Sequence, residues 1–293
     1  MTQSSDRASK PNWLKSELPG GIRFKQVRAT VQEHNLSTVC KEARCPNLGE
    51  CWNLGTATFM ILGNVCTRGC RFCAVTRGAG AGVVDEDEPS RVADAVQKMN
   101  LDYAVLTSVT RDDLPDGGAA QFAQTISAIR QRNRDLLVEV LTPDYCGAAL
   151  KMVLNAFPTV FAHNIEVVER LSPAMRHERF TYANSLRTLS EAHAENPGLV
   201  TKSSIMVGLG ETAAEVEAGM KHLREVGVKI LVLGQYLQPT RRHAKVERYV
   251  PPDEFDDMAK LGKTLGFDYV AAAPLARTSY RAAEAFVKSL HGK

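Results

Sequence analysis

Six of the seven cysteines of this chain fall between residues 40 and 73, and the last three form the run Cys66-Thr-Arg-Gly-Cys70-Arg-Phe-Cys73. The C-x3-C-x2-C spacing presents three thiolates from one short loop. A [4Fe–4S] cube ordinarily takes four thiolates. Three would leave one iron open, as a catalytic metal site keeps a position free for a ligand. A second triplet, Cys40, Cys45 and Cys51, precedes the first with the spacing C-x4-C-x5-C. A free cysteine is by default a small buried hydrophobe, and that reading suffices for the solitary Cys146. It does not account for six thiols crowded into 34 residues.

The remainder of the chain indicates the scaffold that carries such a loop. From residue 58 onward, strand-like apolar runs alternate with amphipathic, helix-like segments. The runs are 58–64, 103–109, 136–141, 159–166, 200–207 and 229–234. Between them, Phe122, Ile126 and Ile129, and later Val216, Met220, Leu223 and Val226, keep a helical stripe that reads as core packing. Further helices fit 91–99, 148–157, 182–194 and 255–265. Repeated strand–helix units imply right-handed parallel crossovers. We therefore expect an α/β fold, a partial (β/α)6 TIM-type barrel with N-terminal and C-terminal extensions over its mouth. Six units fit better than eight because the two ends consume the remaining length. The expected divisions are a tail or arm over 1–34, a segment over 35–57 with the first triplet, the barrel over 58–273, and a C-terminal segment over 274–293 ending in a helix. In such a barrel the residues just after each strand meet at one face and build the site. The C-x3-C-x2-C loop follows the first strand and belongs to that face.

Composition limits the partners. The net charge of +3 is the difference between 36 basic and 33 acidic residues, which gives no case for nucleic acid. No run approaches the roughly 18 consecutive apolar residues of a membrane span, and the N-terminus lacks the apolar region of a secretory signal. Seven cysteines without an export signal point to reduced thiols or metal ligands and to the cytoplasm. Zinc is the main alternative metal. Zinc sites prefer paired C-x2-C knuckles with a fourth Cys or His, and that pairing is absent here.

The segment 35–73, NLSTVCKEARCPNLGECWNLGTATFMILGNVCTRGCRFC, resembles the lipoyl synthase family of the radical S-adenosylmethionine (SAM) superfamily. The likeness continues through TSVTRDDLPDGGA, VEVLTPD, HNIE, KSSIMVGLGET and GQYLQPT, and ends in Arg277-Thr278-Ser279-Tyr280-Arg281-Ala282. It implies that Cys66, Cys70 and Cys73 hold the cluster that cleaves SAM to a 5′-deoxyadenosyl radical, chemistry that belongs to the cofactor. It also implies a second, auxiliary [4Fe–4S] cluster on Cys40, Cys45 and Cys51. The family motif R-S-S-Y-x-A makes its second serine, here Ser279, the fourth ligand; Thr278 replaces the first serine. The implied reaction inserts two sulfur atoms, at C6 and C8, into an octanoyl chain amide-linked to a lysine. That lysine sits on a lipoyl carrier domain, of a 2-oxoacid dehydrogenase E2 or the glycine cleavage H protein. The auxiliary cluster is spent as the sulfur source. An electron donor such as ferredoxin or flavodoxin and an iron–sulfur carrier are the further implied partners.

Weaker features surround these. Gly117-Gly118 stands where the superfamily places a loop contacting the SAM amino group; a plain turn before a helix is the other reading. Gly208 opens a strand-to-helix turn, where packing is the commoner role. Glu139, Asn164 and Glu166 are polar residues in or ending apolar strands, and a buried polar group needs a partner. A ligand at the mouth and a structural hydrogen bond are equal candidates. The basic run Arg241, Arg242, His243, Lys245 and Arg248 reads as a solvated face or as a dock for an acidic carrier domain. Two rival readings are another radical SAM enzyme, such as a methylthiotransferase or biotin synthase relative, and a zinc-stabilised scaffold without turnover.

Overall fold

The computed structural model describes residues 10–16, 18–278 and 284–292 of the chain. After a short 3-10 turn, Asn12–Leu14, come α1 (Ile22–Glu33), β1 (Ser37–Thr38), α2 (Val39–Glu42), α3 (Leu48–Asn53) and β2 (Thr58–Ile61). The short strands β3 (Val65–Cys66) and β4 (Thr76–Arg77) follow, then α4 (Glu88–Lys98), β5 (Tyr103–Ser108), α5 (Ala119–Arg132), β6 (Leu137–Leu141) and α6 (Gly147–Leu154). The second half holds β7 (Val160–Ala162), α7 (Ser172–Met175), α8 (Tyr182–Glu195), β8 (Val200–Val207) and α9 (Ala213–Glu225). It closes with β9 (Ile230–Gln235), α10 (Pro252–Thr264), β10 (Tyr269–Ala272) and α11 (Glu284–Leu290).

One sheet has the order β1-β2-β5-β6-β7-β8-β9-β10, and β3 pairs with β4 apart from it. Only β1 runs antiparallel to its neighbour; from β2 to β10 every pairing is parallel. The sheet does not close, since β1 and β10 are its two edges. The six expected strand–helix units are present, and β10 adds a seventh parallel strand that the sequence pattern did not reveal. Its four residues are half-buried throughout and include two alanines, which carry little β preference. Strand β7 stops earlier than the apolar run suggested. Glu166 takes a left-handed φ of 67°, and the chain rejoins β8 only by a bridge from Glu166 to Ile205.

Two apolar clusters hold the helices to the sheet. Phe59, Ile61 and Leu106 of the sheet cluster with Val92 and Val96 of α4 and Phe122 and Ile126 of α5. Ile205, Leu231 and Leu233 cluster with Leu189 of α8 and Met220 of α9. Full burial of each large side chain contributes about 1.5–3 kcal/mol. Local signals agree with the packing. Helix α9 starts at a capping box in which Thr212 Oγ1 accepts from the Glu215 N–H at 3.3 Å and the Glu215 carboxylate accepts from the Thr212 N–H at 2.8 Å.

Inside the barrel, Lys202 donates to Glu139 at 2.8 Å, and the Tyr103 hydroxyl donates to the same carboxylate at 2.5 Å. Beyond this pair, Val287 and Phe286 of α11 pack against Tyr103, Leu137, Val160, Ile230 and Tyr269 at the N-terminal ends of the strands. The final helix thus closes the end opposite the mouth. Of the C-terminal extension, it is 274–278 that lies at the mouth, where Pro274 O accepts from the Gln235 N–H at 3.2 Å. The N-terminal helices flank the open edge beside β2. Phe24 of α1 packs on Trp52 of α3 with ring centroids 5.2 Å apart and ring planes tilted by 44°.

Candidate active site

Directly after β2, Leu62 and Gly63 both take positive φ, and this turn launches the cysteine loop at the mouth. The parallel pair β3–β4 closes the neck of the loop, and the Gly78 N–H donates to Cys66 O at 3.0 Å. Loops that follow β5, β7 and β9 grip it from three sides. The Thr67 N–H and hydroxyl both donate to Thr110 O at 3.0 Å, the Arg71 N–H to Met175 O at 2.8 Å, and the Ala244 N–H to Arg71 O at 2.8 Å. Between Cys66 and Cys70, Arg68 forks onto Asp112 at 2.8 and 3.0 Å and reaches Asp144 at 2.9 Å. Its guanidinium also lies 4.0 Å from the centre of the Phe180 ring. Charge-assisted, bidentate bonds of this kind are directional as well as strong. They fix the loop alongside the apolar packing of Phe72 and Val75.

Cys66, Cys70 and Cys73 line one cavity of about 170 Å³ together with the ends of β5, β6 and β7. Backbone N–H groups of Arg68 and His177 donate to the sulfurs of Cys66 and Cys70, each at 3.4 Å. Burial pushes the Cys73 thiol up to about 12 and raises Cys70 as well. A coordinated metal reverses that preference, because a ligating thiol is deprotonated outright. Two hydroxyls in the same cavity, those of Ser108 and Thr142, are buried without a hydrogen-bond partner. Such groups call for a polar ligand. Among the described residues no three His, Cys, Asp or Glu side chains group around a single metal ion. A cube of four irons presents a wider body than one ion. Three sulfur donors with N–H bonds to sulfur, set beside unsatisfied hydroxyls, fit an iron–sulfur cluster with a polar organic ligand.

The cavity wall is charged in a balanced way. Burial raises the Glu166 carboxyl, and the nearby Arg176 guanidinium and the Asn164 amide pull it back. Asn164 donates to Glu166 at 3.1 Å and accepts from the Thr278 hydroxyl at 3.3 Å. His163 Nδ1 lies 2.9 Å from Thr142 O, so that nitrogen carries the proton. Its Nε2 then accepts from Ser185 at 2.9 Å, and Ser185 accepts from Arg176 at 2.9 Å. Burial, reinforced by Arg176, lowers His163 to about 4.

The structure therefore brings Cys66, Cys70, Cys73, Asn164 and Glu166 to one cavity and places the other expected residues elsewhere. Gly117 lines an adjoining cavity with Asp112, Asp144 and Tyr145. Gly118, at φ 90°, opens α5, and a Cβ there would stand 2.2 Å from Leu62. Gly208, at φ 96°, is pressed between Gln235 and Arg248 O, and its N–H donates to Glu211 at 2.6 Å. Glu139 is away from the mouth, committed to Lys202 and Tyr103. Sequence reasoning missed Arg68, His163 and Arg176. His163 adjoins the recognised Asn164, but Arg176 comes from an irregular connection with no local signal.

The second triplet has a different setting. Cys40 and Cys51 are buried in their own apolar cluster with Val27, Val31 and Trp52. The Cys45 N–H donates to Cys40 O at 3.1 Å. Burial pushes Cys40 up to about 11 and raises Cys45 too. Asn47, fully buried, donates to Leu275 O at 2.8 Å, and Arg277 lies close enough to Cys45 for each to shift the other's titration. The 275–278 segment thus reaches this triplet. Ser279, the expected fourth ligand, lies outside the described residues.

Residues 60–233 match the radical SAM superfamily, and residues 1–45 match the N-terminal domain of lipoyl synthase of the radical SAM family. The chain is 54% identical to lipoyl synthase from Halorhodospira halophila over 96% of this chain and 84% of that one. It is 52% identical to lipoyl synthase from Thermus thermophilus over 96% of this chain and 88% of that one. It is 51% identical to mitochondrial lipoyl synthase from Drosophila willistoni over 96% of this chain and 77% of that one. Among solved structures, the hydrogenase maturase HydG from Carboxydothermus hydrogenoformans superposes with a TM-score of 0.56 at 13% identity, covering 78% of this chain and 65% of that one. Methylornithine synthase gives a TM-score of 0.51 at 12% identity, over 72% and 69%. These likenesses concern the fold alone.

Proposed function

The chain belongs to the lipoyl synthase family of radical SAM enzymes, and from that we propose that it inserts two sulfur atoms, at C6 and C8, into an octanoyl group borne on a lysine of a lipoyl carrier domain. It is an enzyme of lipoate biosynthesis with a [4Fe–4S] cluster and SAM as cofactors. The observation that carries the finer reading is the coincidence, in one mouth cavity, of three partly buried thiols and two unpartnered hydroxyls.

When bound to the cluster, SAM supplies a 5′-deoxyadenosyl radical able to take hydrogen from an unactivated carbon. Everything else falls to the chain. Cys66, Cys70 and Cys73 hold the cluster, and Arg68 fixes the loop that carries them. Ser108, Thr142, Asn164 and Glu166 offer polar atoms to the nucleoside and amino-acid parts of SAM, and Arg176 balances the carboxylate. Phe72, Val109 and Phe180 line the same cavity and keep water from the reacting carbon. Holding the chain within reach replaces a bimolecular encounter by a positioned one.

The sulfur source in this reading is a second cluster, consumed as a reagent. Cys40, Cys45, Cys51 and Ser279 hold it, and its sulfides end in the product. An oxygen ligand leaves one iron easy to uncover in a cluster that must surrender sulfur. The carrier is an octanoylated E2 or H protein, an iron–sulfur carrier renews the reagent, and ferredoxin or flavodoxin supplies electrons. No described helix is long and apolar enough to cross a membrane, and the proposed location is the cytoplasm.

Anaerobic reconstitution with SAM, reductant and an octanoyl-lysine peptide tests the proposal by mass spectrometry. Product heavier by two sulfur atoms, with 5′-deoxyadenosine, is expected. SAM cleavage without that mass change would reject the substrate.

A further inference from the structure

The basic run after β9 does not border the cavity. None of residues 239–248 lines it. The run instead braces the cysteine loop from outside. His243 Nε2 donates to Cys73 O at 3.0 Å, and its Nδ1 accepts from the Thr240 hydroxyl at 2.8 Å, so a neutral ring satisfies both bonds. The neighbouring Ala244 N–H holds Arg71 O at 2.8 Å. Around this brace Arg71, Arg241, Arg242 and Lys245 are exposed, and none forms an ion pair among the described residues. Arg248 differs, being paired with Glu254 at 2.7 Å. The one acid within the run is Glu247.

A carrier domain must thread its acyl chain into the cavity, and a face that contributes nothing to the cavity wall is a poor place for it to sit. An electron donor needs only to come near the cluster. We propose that Arg71, Arg241, Arg242 and Lys245 form the docking face for an acidic one-electron donor protein, a flavin or iron–sulfur carrier, seated directly behind Cys73. This rests on the radical SAM reading above. One electron leaves the donor, which is oxidised by one unit, and the cluster held by Cys66, Cys70 and Cys73 is reduced by one unit; no bond forms or breaks in that step. Complementary charge raises the rate of encounter and makes it salt-dependent.

Two variants test the face, the charge reversal Arg241→Glu/Arg242→Glu/Lys245→Glu and its neutral counterpart with Gln at the three positions, both at exposed sites where the thermal midpoint should hold. Oxidised flavodoxin is titrated onto each protein, and the rate at which the protein oxidises reduced flavodoxin is followed by its absorbance. At low salt the Glu variant should bind flavodoxin about tenfold more weakly or worse and the Gln variant by less, with the differences shrinking as the Debye length falls from about 30 Å at 0.01 M to about 3 Å at 1 M. Turnover driven by dithionite should be unchanged in both, as should the KM for octanoylated carrier protein. Unaltered flavodoxin binding would overturn the proposal. So would a raised carrier KM under dithionite with donor binding intact, which would assign the face to the carrier. A wild-type enzyme that makes no lipoyl product even with dithionite would fail the proposed function instead, and flavodoxin binding would still judge the face.

Discussion

The two cysteine triplets share a donor atom and little else. Cys66, Cys70 and Cys73 sit on a loop beyond the end of β2, partly buried, in the wall of a cavity, and the loop is pinned by hydrogen bonds to three other strand-end loops. Cys40 and Cys51 are on short helices, 4% and 6% exposed, in a small apolar cluster of their own. Residues 275–278 of the C-terminal extension close over that second group through Leu275 and Arg277. One triplet is framed by polar contacts and open to a small ligand. The other is framed by packing and shut by the far end of the chain. Such a contrast suits a site that exchanges its ligand every turnover and one that releases its contents rarely.

The largest expected effect separates the two directly. Cys70→Ala should abolish SAM cleavage and therefore all product. Cys45→Ala should leave SAM cleavage, scored as 5′-deoxyadenosine, while abolishing sulfur insertion. Iron should fall from about eight to about four per chain in either variant, since each cube holds four. Loss of both activities in both variants would erase the distinction.

A second substitution should strike both sites equally. Lys202 and Glu139 are 1% exposed and tie β8 to β6 inside the barrel that supports both triplets. Lys202→Met strands a buried carboxylate, which costs about 3–5 kcal/mol. The neutral pair Lys202→Met/Glu139→Gln should recover most of it, because Tyr103 can still donate. Denaturant titration checks this, and recovery of one cluster without the other would show that the sites do not share a foundation.

Much of the contrast was already legible along the chain. The spacing of Cys66, Cys70 and Cys73 encodes a single loop, and local spacing is what sequence displays best. The strand–helix alternation placed that loop at the mouth because parallel crossovers leave few other topologies. Arg68, Arg176 and Ser185 were hidden for the opposite reason, since their partners come from distant loops that only the folded sheet aligns. Glu139 illustrates the same limit. A polar residue in an apolar strand signals that some partner exists, but a lysine 63 positions away supplies it. The fate of the last helix was also illegible, because α11 packs on strand ends drawn from across the chain.

Acid should loosen the cavity side first. His163 is neutral in the fold, lowered by burial from 6.5 to about 4. Its contribution is complete above the unfolded value of 6.5 and is lost as pH falls through about 4, where the ring must charge in place or leave. The thermal midpoint of the metal-free protein should therefore drop between those limits by more than in His163→Gln, which cannot take up the proton. Equal slopes in the two proteins would remove His163 from the account of the cavity wall.

The smallest expected effect probes the closure of the second triplet. Asn47 is fully buried two residues after Cys45, and its amide donates to Leu275 O at 2.8 Å across a separation of 228 residues. Asn47→Ala removes the donor and leaves a carbonyl without its partner, a loss of about 1–3 kcal/mol. The bond joins the second triplet to the C-terminal segment, and the segment's separate tie to the mouth cavity, from Thr278 to Asn164, stays intact, so loss of the bond should act on the second site. The expected signature is faster loss of about half the iron to a chelator, with SAM cleavage held at the wild-type rate. If iron leaves both sites at the same rate, the 275–278 segment does not serve as a closure for Cys40, Cys45 and Cys51. The difference between the triplets would then reduce to burial alone.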